Sequence, residues 1–478
     1  MVAVVDLKLF IAGSWTEGTG DGVHEVVSPA TGEHIANLPL ASEEDVKRAV
    51  EAARRAQAEM AAMSPWERAE LSHRIGDLIS EHREELARIQ TMEQGKPYHS
   101  ESLPDIGESA ENFHTDAEGV KRLMSDVIPE KHRRKKILTF RRPVGVWASI
   151  SPWNFPVLTA VEQISPALAT GNAVVSKPPE NTPWAMLRFA ELAEDAGLPA
   201  GALSVVPGGA DVGRVLVTSD VDGITFIGSS DTGRWIVANA GLKRTIMEMS
   251  GNGPQIVLAD ADLERAAKAA VFGAYYCAGQ VCCATERLIV ESSVHEALRD
   301  AIVEAAASTV RLGDPFDERT TMGPLNNEGV AAKMDRHLAD AVDKGAEVLV
   351  GGGRAQGFPT PLYFEFSVVD GVTEQMLLDE EESFGPVVPI ITVKDADEAV
   401  EVANRDRWGL QAALFTNDLR KAFEVTERLQ NGSVVVNDTT NYWDPFQPFG
   451  GGPGTESGWG KCVAEEYTDV QSMVIDYS

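Results

Sequence analysis

PVGVWASISPWNFP, residues 143–156, is the first of four apolar segments that each end in a polar loop. The others are GNAVVSKPPE at 171–180, GALSVVPG at 201–208 and VDGITFIGSS at 221–230. Segments with helical spacing, such as residues 182–196, lie between them. Short apolar strands that alternate with helices are typical of right-handed βαβ units, so this region is predicted to form a parallel sheet.

A second alternating block runs from about residue 253 to about residue 430 and contains the candidate strands RLIVES, AEVLVGG, VVPIITV and AALFTND. Two such blocks predict an α/β protein with two doubly wound lobes and a cleft between them. Nearer the N-terminus, capping-box patterns predict helices that begin at Ser42 and Ser64, and Gly95 is the expected stop of the second helix.

The composition excludes several classes of protein. Of the 478 residues, 43% are hydrophobic and 24% are charged, as in ordinary globular proteins. The formal net charge of -31 disfavours binding to nucleic acid or to an anionic membrane surface. The longest uncharged run, residues 143–161, is interrupted by prolines and does not have the pattern of a membrane helix.

The cysteines indicate a reducing compartment. Cys277, Cys282 and Cys283 lie close together and Cys462 lies near the end, an arrangement that is poor for a disulfide framework. The N-terminus has no signal-peptide pattern, so a cytoplasmic protein is expected. The sequence has no Cys-x-x-Cys motif and no histidine near the cysteine cluster, so it does not indicate a metal site. Cys283 is interpreted as a passive second thiol, with a vicinal disulfide as the alternative.

Three residues have side chains suited to attack on a carbonyl group. Cys282, in AGQVCCATER, is a candidate nucleophile. Glu248, in IMEMSGNGP, lies among apolar residues that would raise its pKa and suit it to act as a general base. Asn154 lies between two prolines in SPWNFP, which would hold its amide in place to donate to an oxyanion. Taken singly, each pattern favours a structural role.

Two further segments suit a ligand with phosphate and sugar groups. Lys177 and Glu180 follow a predicted parallel strand, at the sheet edge where α/β proteins bind ligands, and could hold two sugar hydroxyls. GSSDTG, from Gly228 to Gly233, follows the strand GITFI and precedes a helix, whose N–H groups could bind a pyrophosphate. Its Gly-x₄-Gly spacing differs from the usual dinucleotide fingerprint, so alone it is a weak signal.

Together and in this order, the motifs resemble those of the aldehyde dehydrogenase superfamily. The spacing between Glu248 and Cys282 also matches that family, and the resemblance covers almost the whole chain, although Ser250 stands where glycine is usual. The matching segments are PWNFP at 152–156, KPPE at 177–180, FIGSSDTG at 226–233, EMSG at 248–251, GQVC at 279–282, EESFGPV at 381–387 and PFGG at 448–451.

The resemblance implies a role for each of these positions. Cys282 would be the nucleophile, Glu248 the general base, and Asn154 with the N–H of Cys282 the oxyanion hole. The residues implied for the dinucleotide are Trp153 beside the site, Lys177 and Glu180 at the adenosine ribose, Gly228, Ser229 and Gly233 at the pyrophosphate, and Glu382 and Phe384 at the nicotinamide ribose. The carboxylate of Glu180 would repel a 2′-phosphate, so NAD is the expected cofactor, with NADP also compatible.

The implied reaction is oxidation of an aldehyde to a carboxylic acid. Thiolate attack gives a thiohemiacetal, hydride passes to NAD(P)+, and water activated by Glu248 hydrolyses the resulting thioester. The presence of Glu248 argues against a coenzyme-A-acylating enzyme, and the intact set with Cys282 and Asn154 argues against a non-catalytic relative. A cysteine hydrolase would need a histidine near Cys282, and the sequence offers no obvious one.

The segment after Pro156 departs from the family pattern in a way that bears on the substrate. Many relatives have Trp and then Lys where this chain has Glu162 and Gln163, and the first position faces the substrate funnel. Glu162 and Asp116, on a helix that borders the funnel in the family, predict a cationic or hydroxylated aldehyde. Pairing of Glu162 with an internal basic residue is the structural alternative.

Two further expectations follow from this segment and from the later loop NDTTNYWDPFQ. Tyr442 and Trp443 are further candidates for the substrate pocket and would suit an aromatic or aliphatic aldehyde instead. Replacement of the lysine by Gln163 predicts that water relays protons from the base or that deacylation is slower.

The family resemblance also implies a division of the chain. The small-molecule aldehyde is the expected ligand, with no nucleic-acid or membrane partner. The C-terminal VQSMVIDYS is expected to pair within an oligomerisation flap and to meet another subunit of a homodimer or homotetramer. The implied parts are a Rossmann-like cofactor domain of 1–121 and 142–250, a catalytic domain of 251–435, the flap of 122–141 and 463–478, and a substrate-entrance loop of 436–462.

Overall fold

The computed structural model describes residues 4–478, which form two large sheets, two small sheets and the helices that cover them. The strands are β1 Val5–Asp6, β2 Leu9–Ile11, β3 Ser14–Thr16, β4 Val23–Val27, β5 His34–Pro39, β6 Val127–Ile128, β7 Lys135–Pro143, β8 Val146–Ile150, β9 Ala173–Lys177, β10 Leu203–Val205, β11 Gly223–Gly228, β12 Arg244–Met249, β13 Gly253–Val257, β14 Thr285–Glu291, β15 Glu347–Val350, β16 Ser367–Asp370, β17 Val387–Val393, β18 Gln411–Phe415, β19 Ser433–Val436, β20 Gly458–Trp459 and β21 Thr468–Asp476.

The helices alternate with the strands through most of the chain. They are α1 Glu43–Ala62, α2 Pro65–Glu81, α3 Arg83–Gln94, α4 Leu103–Val120, α5 Leu158–Ala169, α6 Trp184–Asp195, α7 Ala210–Thr218, α8 Ser230–Asn239, α9 Leu263–Tyr275, α10 His295–Thr309, α11 Glu328–Asp343, α12 Leu377–Glu380, α13 Ala396–Ala403 and α14 Leu419–Thr426. A π-helical turn, Tyr98–Ser102, precedes α4, and a 3₁₀ turn, Tyr276–Gly279, follows α9. No helix among residues 4–478 is both long and apolar enough to cross a membrane.

The first large sheet has the strand order β20-β12-β11-β8-β9-β10-β2-β3. Its central strands, from β12 to β10, pair in parallel, and antiparallel strands lie at both edges. The central strands β8 and β9 are buried along their whole length, as expected of a parallel sheet covered by helices on both faces. The parallel sheet predicted from the segment at 143–230 is therefore confirmed.

The second large sheet has the order β15-β16-β17-β14-β13-β18-β19, and all its pairs are parallel except β15 with β16. The core around it is continuous and includes buried residues of β13, β14, β17 and β18. A protein with two parallel sheets, each covered by helices, agrees with the predicted α/β class.

The N-terminal helices agree with the capping patterns, with one difference. Ser42 and Ser64 both form complete capping boxes, at the starts of α1 and α2. The chain leaves helical geometry at His82, so the predicted second helix is two helices, and Gly95 caps α3 rather than α2. Gly95 has a φ of 98°, a left-handed conformation that glycine adopts without strain.

A separate three-stranded sheet joins the two distant parts of the expected flap. β21 pairs antiparallel with β7, from Thr468 opposite Pro143 to Asp476 opposite Lys135, and β6 completes the sheet. β21 lies at the edge, where the side chains of Val470 and Val474 are more than half exposed, at 59% and 56%.

Candidate active site

The carboxyl ends of neighbouring parallel strands bring several of the candidate residues to one edge of the first sheet. Asn154 follows β8, Lys177 ends β9, Ser229 follows β11, and Glu248 lies near the end of β12. Because these strands are parallel neighbours, their ends meet at the same edge. Residues that are far apart in the sequence are thus gathered by the sheet itself.

Cys282 is presented by a tight loop between α9 and β14. Cys277 and Ala278 have φ values of 52° and 53°, which is uncommon for residues with a side chain and marks a strained turn. Gln280 holds the turn in place, since its Nε2 donates to the carbonyl of Cys277 at 2.7 Å. Its Oε1 accepts from the N–H of Asn326 at 2.8 Å. The loop geometry is therefore fixed by buried hydrogen bonds.

Cys282 and Glu248 line the same cavity, and their side chains are close enough for each to shift the pKa of the other. Burial raises the pKa of Glu248 to about 7, although the interaction with Cys282 lowers it. The hydrogen bond with Cys283, burial and the nearby carboxylate of Glu248 raise the pKa of the Cys282 thiol well above its ordinary range. The thiol thus needs a proton acceptor, and Glu248 is in contact with it.

The segment after Glu248 packs directly against the Cys282 loop. A Cβ on Gly251 would lie 2.1 Å from the carbonyl oxygen of Cys282, so only glycine allows this approach. The Oε1 atom of Glu248 is buried and has no hydrogen-bond partner within residues 4–478. One carboxylate oxygen therefore remains able to accept a further hydrogen bond.

Asn154 is buried next to the Cys282 loop, with 3% of its surface exposed. Its Nδ2 donates to the carbonyl of Gln280 at 2.9 Å, which uses one of the two amide hydrogens. The N–H of Cys282 donates to no other group among the described residues. One N–H of the Asn154 amide and the backbone N–H of Cys282 are thus both available near the thiol. Asn154 is not one of the residues that line the cavity around Cys282.

The cavity that contains Cys282 and Glu248, here called the front cavity, has a volume of about 430 Å³. No lysine, arginine or histidine of residues 4–478 lines it. Its acidic side chains are Asp105, Glu108, Glu162 and Glu248. Its aromatic side chains are Phe155, Phe272, Tyr276, Tyr442, Trp443 and Phe449.

Glu162 lines this cavity as expected, and the charged groups that shift its pKa are acidic. Burial, followed by repulsion from Glu248, Glu108 and Asp105, raises the pKa of Glu162 to about 8. Burial and the charge of Asp105 likewise raise the pKa of Glu108 to about 7. Pairing of Glu162 with an internal basic residue is therefore not seen among residues 4–478.

Asp105 is the one carboxylate of the front cavity with a basic partner. Its Oδ2 lies 2.6 Å from the Nζ of Lys96, and both side chains are almost fully buried. Its Oδ1 accepts from the hydroxyl of Tyr276 at 2.9 Å. The Lys96 ammonium also lies 3.5 Å from the ring centroid of Phe155. A third donor is the Nε2 of the buried Gln90, which lies 3.1 Å from Oδ2, so three side chains hold Asp105 in a fixed position.

Asp116 lies elsewhere, which corrects the expectation that it borders the same pocket as Cys282. It lines a second cavity of about 340 Å³, here called the rear chamber, which also contains Lys461, Cys462 and Glu465. The two cavities share the side chains of Glu162, Glu248, Trp443 and Phe449. The physical reason is that Asp116 lies about 16 Å along α4 from Asp105, at 1.5 Å per residue.

Lys177 and Glu180 come together at the loop between β10 and α7. The Nζ of Lys177 donates to the carbonyls of Pro178 and Gly208, and burial lowers its pKa to about 8. The Oε1 of Glu180 lies 3.4 Å from the position of a Cβ on Gly209. The carboxylate of Glu180 has no hydrogen bond within residues 4–478, so it remains able to accept one from a ligand hydroxyl.

The GSSDTG segment forms the start of α8. The hydroxyl of Ser229 accepts from the N–H of Thr232 at 3.4 Å as the N-cap. A Cβ on Gly233 would lie 2.0 Å from the sulfur of Met249, so glycine allows α8 to pack closely on β12. Gly228 ends β11 directly before this helix.

Glu382, Phe384 and Trp153 lie together on the side of the site formed by the second lobe. Glu382 accepts from the N–H of Gly251 at 3.1 Å and from the Ser250 hydroxyl. The rings of Trp153 and Phe384 meet edge to face, with centroids 5.6 Å apart. The unusual Ser250 therefore contacts a residue assigned to the cofactor.

The sequence interpretation missed Asp105 and Glu108 in the front cavity, as well as the contact of Tyr276 with Asp105. Their spacing of three residues on a helix is a readable signal, because residues three apart lie on one face. The same face of α4 continues to Asn112 and Asp116, which line the rear chamber. The missing information was which part of that face meets which cavity.

Comparisons with known proteins agree with these features. The model of the aldehyde dehydrogenase family matches residues 15–473. Glutarate-semialdehyde dehydrogenase of Pseudomonas aeruginosa is 36% identical over 98% of this chain and 99% of its own. An NADP-dependent enzyme of E. coli has a TM-score of 0.95 at 34% identity, covering 99% of this chain and 98% of its own. An indole-3-acetaldehyde dehydrogenase solved with NAD+ also has a TM-score of 0.95 at 34% identity, covering 99% and 97%. The chain therefore belongs to the aldehyde dehydrogenase family.

Proposed function

We propose that this NAD(P)-dependent aldehyde dehydrogenase oxidises an aldehyde that carries a positive charge, with Cys282 as its nucleophile. The observation that carries the proposal is the front cavity, where acidic side chains surround the thiol without a basic side chain among the lining residues. The reacting groups and the residues that select the substrate are thus assigned to the same cavity, which has a volume of about 430 Å³.

Attack begins with transfer of the Cys282 proton to Glu248, which lines the same cavity as the thiol. The sulfur then forms a bond to the carbonyl carbon, and negative charge develops on the carbonyl oxygen. The second amide hydrogen of Asn154 and the N–H of Cys282 are the donors placed to stabilise that charge.

Bound NAD(P)+ supplies the hydride acceptor that converts the thiohemiacetal into a thioester. The buried Lys177 and the unpaired carboxylate of Glu180 fit two ribose hydroxyls, and the start of α8 fits a pyrophosphate. The carboxylate at position 180 favours NAD over NADP by repulsion of a 2′-phosphate. The residues proposed to hold the dinucleotide are Trp153, Lys177, Glu180, Gly228, Ser229, Gly233, Glu382 and Phe384.

Hydrolysis of the thioester needs a base, and Glu248 is the carboxylate in contact with Cys282. Its pKa of about 7 gives it both forms near neutral pH, which suits proton abstraction from water. The unpaired Oε1 is able to accept the hydrogen bond of the attacking water.

The charge on the substrate follows from mutual repulsion in the front cavity. Glu108 and Glu162 have raised pKa values, about 7 and about 8, partly because their neighbours are also acidic. A bound ammonium or quaternary ammonium group would replace this repulsion by attraction. Aromatic faces such as that of Trp443 add cation–π stabilisation.

The same cavity disfavours an aldehyde with a second, anionic end. Glutarate-semialdehyde dehydrogenase, the relative in Pseudomonas aeruginosa, is named for such a substrate. In this chain a carboxylate substrate would meet Glu108 and Glu162 with no basic residue among the lining residues to pair with it. Like-charge contact of this kind is one way in which a binding site discriminates against a ligand.

A neutral aromatic aldehyde is the second candidate, because the front cavity also has an aromatic lining that includes Tyr442 and Trp443. A hydroxylated aldehyde fits the carboxylates as hydrogen-bond acceptors. These candidates differ from the first in charge, so the contribution of charge to kcat/KM separates them.

The test is steady-state NADH production with a trimethylammonio-aldehyde, an uncharged aldehyde of similar shape, a benzaldehyde and a succinate-type semialdehyde. The cationic aldehyde is expected to have the highest kcat/KM and the succinate type the lowest. Its advantage over the uncharged analogue should shrink as salt is added. A preference for the succinate-type substrate would refute the proposal.

The expected division of the chain is also a proposal. The close pairing of β7 with β21 supports a flap of 122–141 and 463–478. The two large sheets support a cofactor domain of 1–121 and 142–250 and a catalytic domain of 251–435, joined by an entrance loop of 436–462.

We propose that this flap joins subunits in a homodimer or homotetramer. β21 is an edge strand with exposed Val470, Val474 and Tyr477, a surface that proteins rarely leave uncovered. A Val474→Lys variant should lower the mass measured by light scattering, whereas the same change at the exposed Val237 of α8 should not. An unchanged mass for Val474→Lys would contradict the assignment.

A cytoplasmic location is proposed from the four unpaired cysteines.

A further inference from the structure

The rear chamber adjoins the reacting groups but has no part in the proposed function so far. Its wall shares the carboxyl groups of Glu162 and Glu248 with the front cavity. It also contains Asp116 and Glu465, and Glu465 is exposed to solvent. Four carboxyl groups, one of them exposed to solvent, therefore line the chamber that contains the proposed base.

The residue beside Glu162 does not offer another route. Gln163 is fully buried, and its Oε1 accepts from the hydroxyl of Ser149 at 2.8 Å. A side-chain amide neither gains nor loses a proton near neutral pH, so it does not act as an acid or a base. Glu248, by contrast, lines both cavities, and its buried Oε1 has no hydrogen-bond partner among the described residues.

The carboxyl groups of Glu248, Glu162 and Asp116 are similar in proton affinity. Burial is the main cause that raises the pKa of Glu248 to about 7, of Glu162 to about 8 and of Asp116 to about 7. A hydrogen bond with Ser165 opposes the rise at Asp116, and repulsion by Glu465 adds to it. Transfer between groups of similar pKa costs little free energy, so a proton can move along them.

Other charged groups also face Asp116. The segment after β20 contributes Lys461, the only basic side chain among the described residues of the chamber, together with Cys462. The phenol of Tyr467 interacts with Asp116, and burial raises its pKa well above its usual value. Burial also raises the pKa of Cys462 to about 12, so this thiol keeps its proton at neutral pH.

We propose that the rear chamber conducts the proton taken up by Glu248 through Glu162 and Asp116 to solvent at Glu465. The inference rests on the proposed function, in which Glu248 is the base of thioester hydrolysis. In that step the water oxygen bonds to the acyl carbon and one water proton passes to Glu248. The carbon–sulfur bond breaks, and its electron pair returns to the sulfur of Cys282.

Glu248 must lose the proton that it takes from Cys282 before it can activate water, and it must lose the water proton before the next turnover. Asp116 does not line the front cavity, so it does not touch the reacting atoms. It acts only by accepting the proton from the neighbouring carboxyl groups and passing it on. Its removal should therefore slow the steady state without preventing the first acylation.

The test compares Asp116→Asn with Glu111→Gln, which removes a carboxylate from the exposed side of the same helix. Asp116→Asn is expected to lower kcat about tenfold, less than the roughly 100- to 10,000-fold loss expected when a general base is removed. The initial burst of NADH should keep its amplitude, because the first acylation needs no regenerated base. Added imidazole, as a mobile proton carrier, should restore kcat in Asp116→Asn but not raise it in Glu111→Gln.

An Asp116→Asn enzyme with the kcat of Glu111→Gln, or with a loss that imidazole does not restore, would overturn the proposal. Glu465→Gln repeats the test at an exposed position where folding is not at risk, with an expected loss of about twofold that imidazole reverses. If Asp116→Asn does not fold, an unchanged kcat in Glu465→Gln overturns the proposal by itself. Absence of NADH production by the unmodified enzyme with every aldehyde tested would instead refute the proposed function.

Discussion

The residues assigned to the dinucleotide and those of the front cavity are assembled in different ways. Lys177 and Ser229 lie in short motifs directly after parallel strands, so the sheet alone places them. The front cavity takes Glu108 from α4, Glu162 from α5 and Tyr276 from the turn after α9. The difference teaches that the dinucleotide residues are placed by strand-end motifs, whereas the substrate pocket is built largely by helices that can change their side chains independently.

Cys282, where the two regions meet, should show the largest effect. Cys282→Ser is expected to lower NADH production by about 1,000-fold or more, because a serine hydroxyl is a much weaker nucleophile at neutral pH. Cys283→Ser is the matched control and should retain most of the activity. Comparable losses in both variants would mean that the nucleophile is misassigned.

Glu248 should separate the two halves of the reaction. Glu248→Gln is expected to lower kcat by about 100- to 10,000-fold and to retain a burst of about one NADH per subunit, which forms more slowly because water must then accept the Cys282 proton. In the unmodified enzyme kcat should rise with pH through about 7, since the ionised form of Glu248 is the active base and its pKa is about 7. Stopped-flow and steady-state absorbance measure both, and a variant with normal kcat would contradict the role of Glu248.

The buried ion pair of Lys96 and Asp105 in the wall of the front cavity can be tested by measuring the stability of the protein. Asp105→Asn leaves the Lys96 ammonium buried without its counter-charge and should lower the free energy of unfolding by about 3–5 kcal/mol. Adding Lys96→Met to this variant removes the unpaired charge and should recover part of the loss. Urea unfolding measures both variants, and an Asp105→Asn protein as stable as the original would show that the pair is not buried as described.

Replacement of Glu108 tests substrate recognition in the front cavity without changing a residue that takes part in the reaction. Glu108→Gln should lower kcat/KM for a cationic aldehyde about tenfold, the equivalent of about 1.4 kcal/mol, and leave an uncharged aldehyde nearly unchanged. Glu111→Gln, on the exposed side of α4, is the matched control. Equal losses for both aldehydes would indicate a packing effect instead of recognition of charge.

Glu180 tests the dinucleotide side, with the smallest expected effect. Glu180→Ser removes the carboxylate that faces the loop at Gly209 and should raise kcat/KM for NADP about fivefold relative to NAD. The change should leave the order of preference among aldehydes unaltered. A shift in aldehyde preference would break the separation between the two regions.

The sequence predicted the sheets and the strand-end residues because both depend on local patterns. Continuous apolar strands with polar ends are readable without a structure, and Lys177 and Glu248 lie at such ends. The break at His82 was not readable, since the residues of α2 and α3 continue one helical pattern across it.

Placement of the substrate residues was only partly readable. Glu162 lies in the front cavity as expected, but Asp116 lies in the rear chamber and Asp105 was not foreseen. A helix pattern shows which residues share a face, and tertiary packing decides what each part of that face meets. The contact of Ser250 with Glu382 is of the same kind, because it joins two loops that are distant in the sequence.

Trapping the covalent intermediate tests the central claim most directly. Glu248→Gln protein is mixed with NAD+ and a trimethylammonio-aldehyde, quenched in acid, digested and examined by mass spectrometry. The account predicts that the peptide containing Cys282 gains the mass of the acyl group and that Cys283 in the same peptide remains unmodified. An acyl group on Cys283, or no adduct despite NADH release, would contradict it.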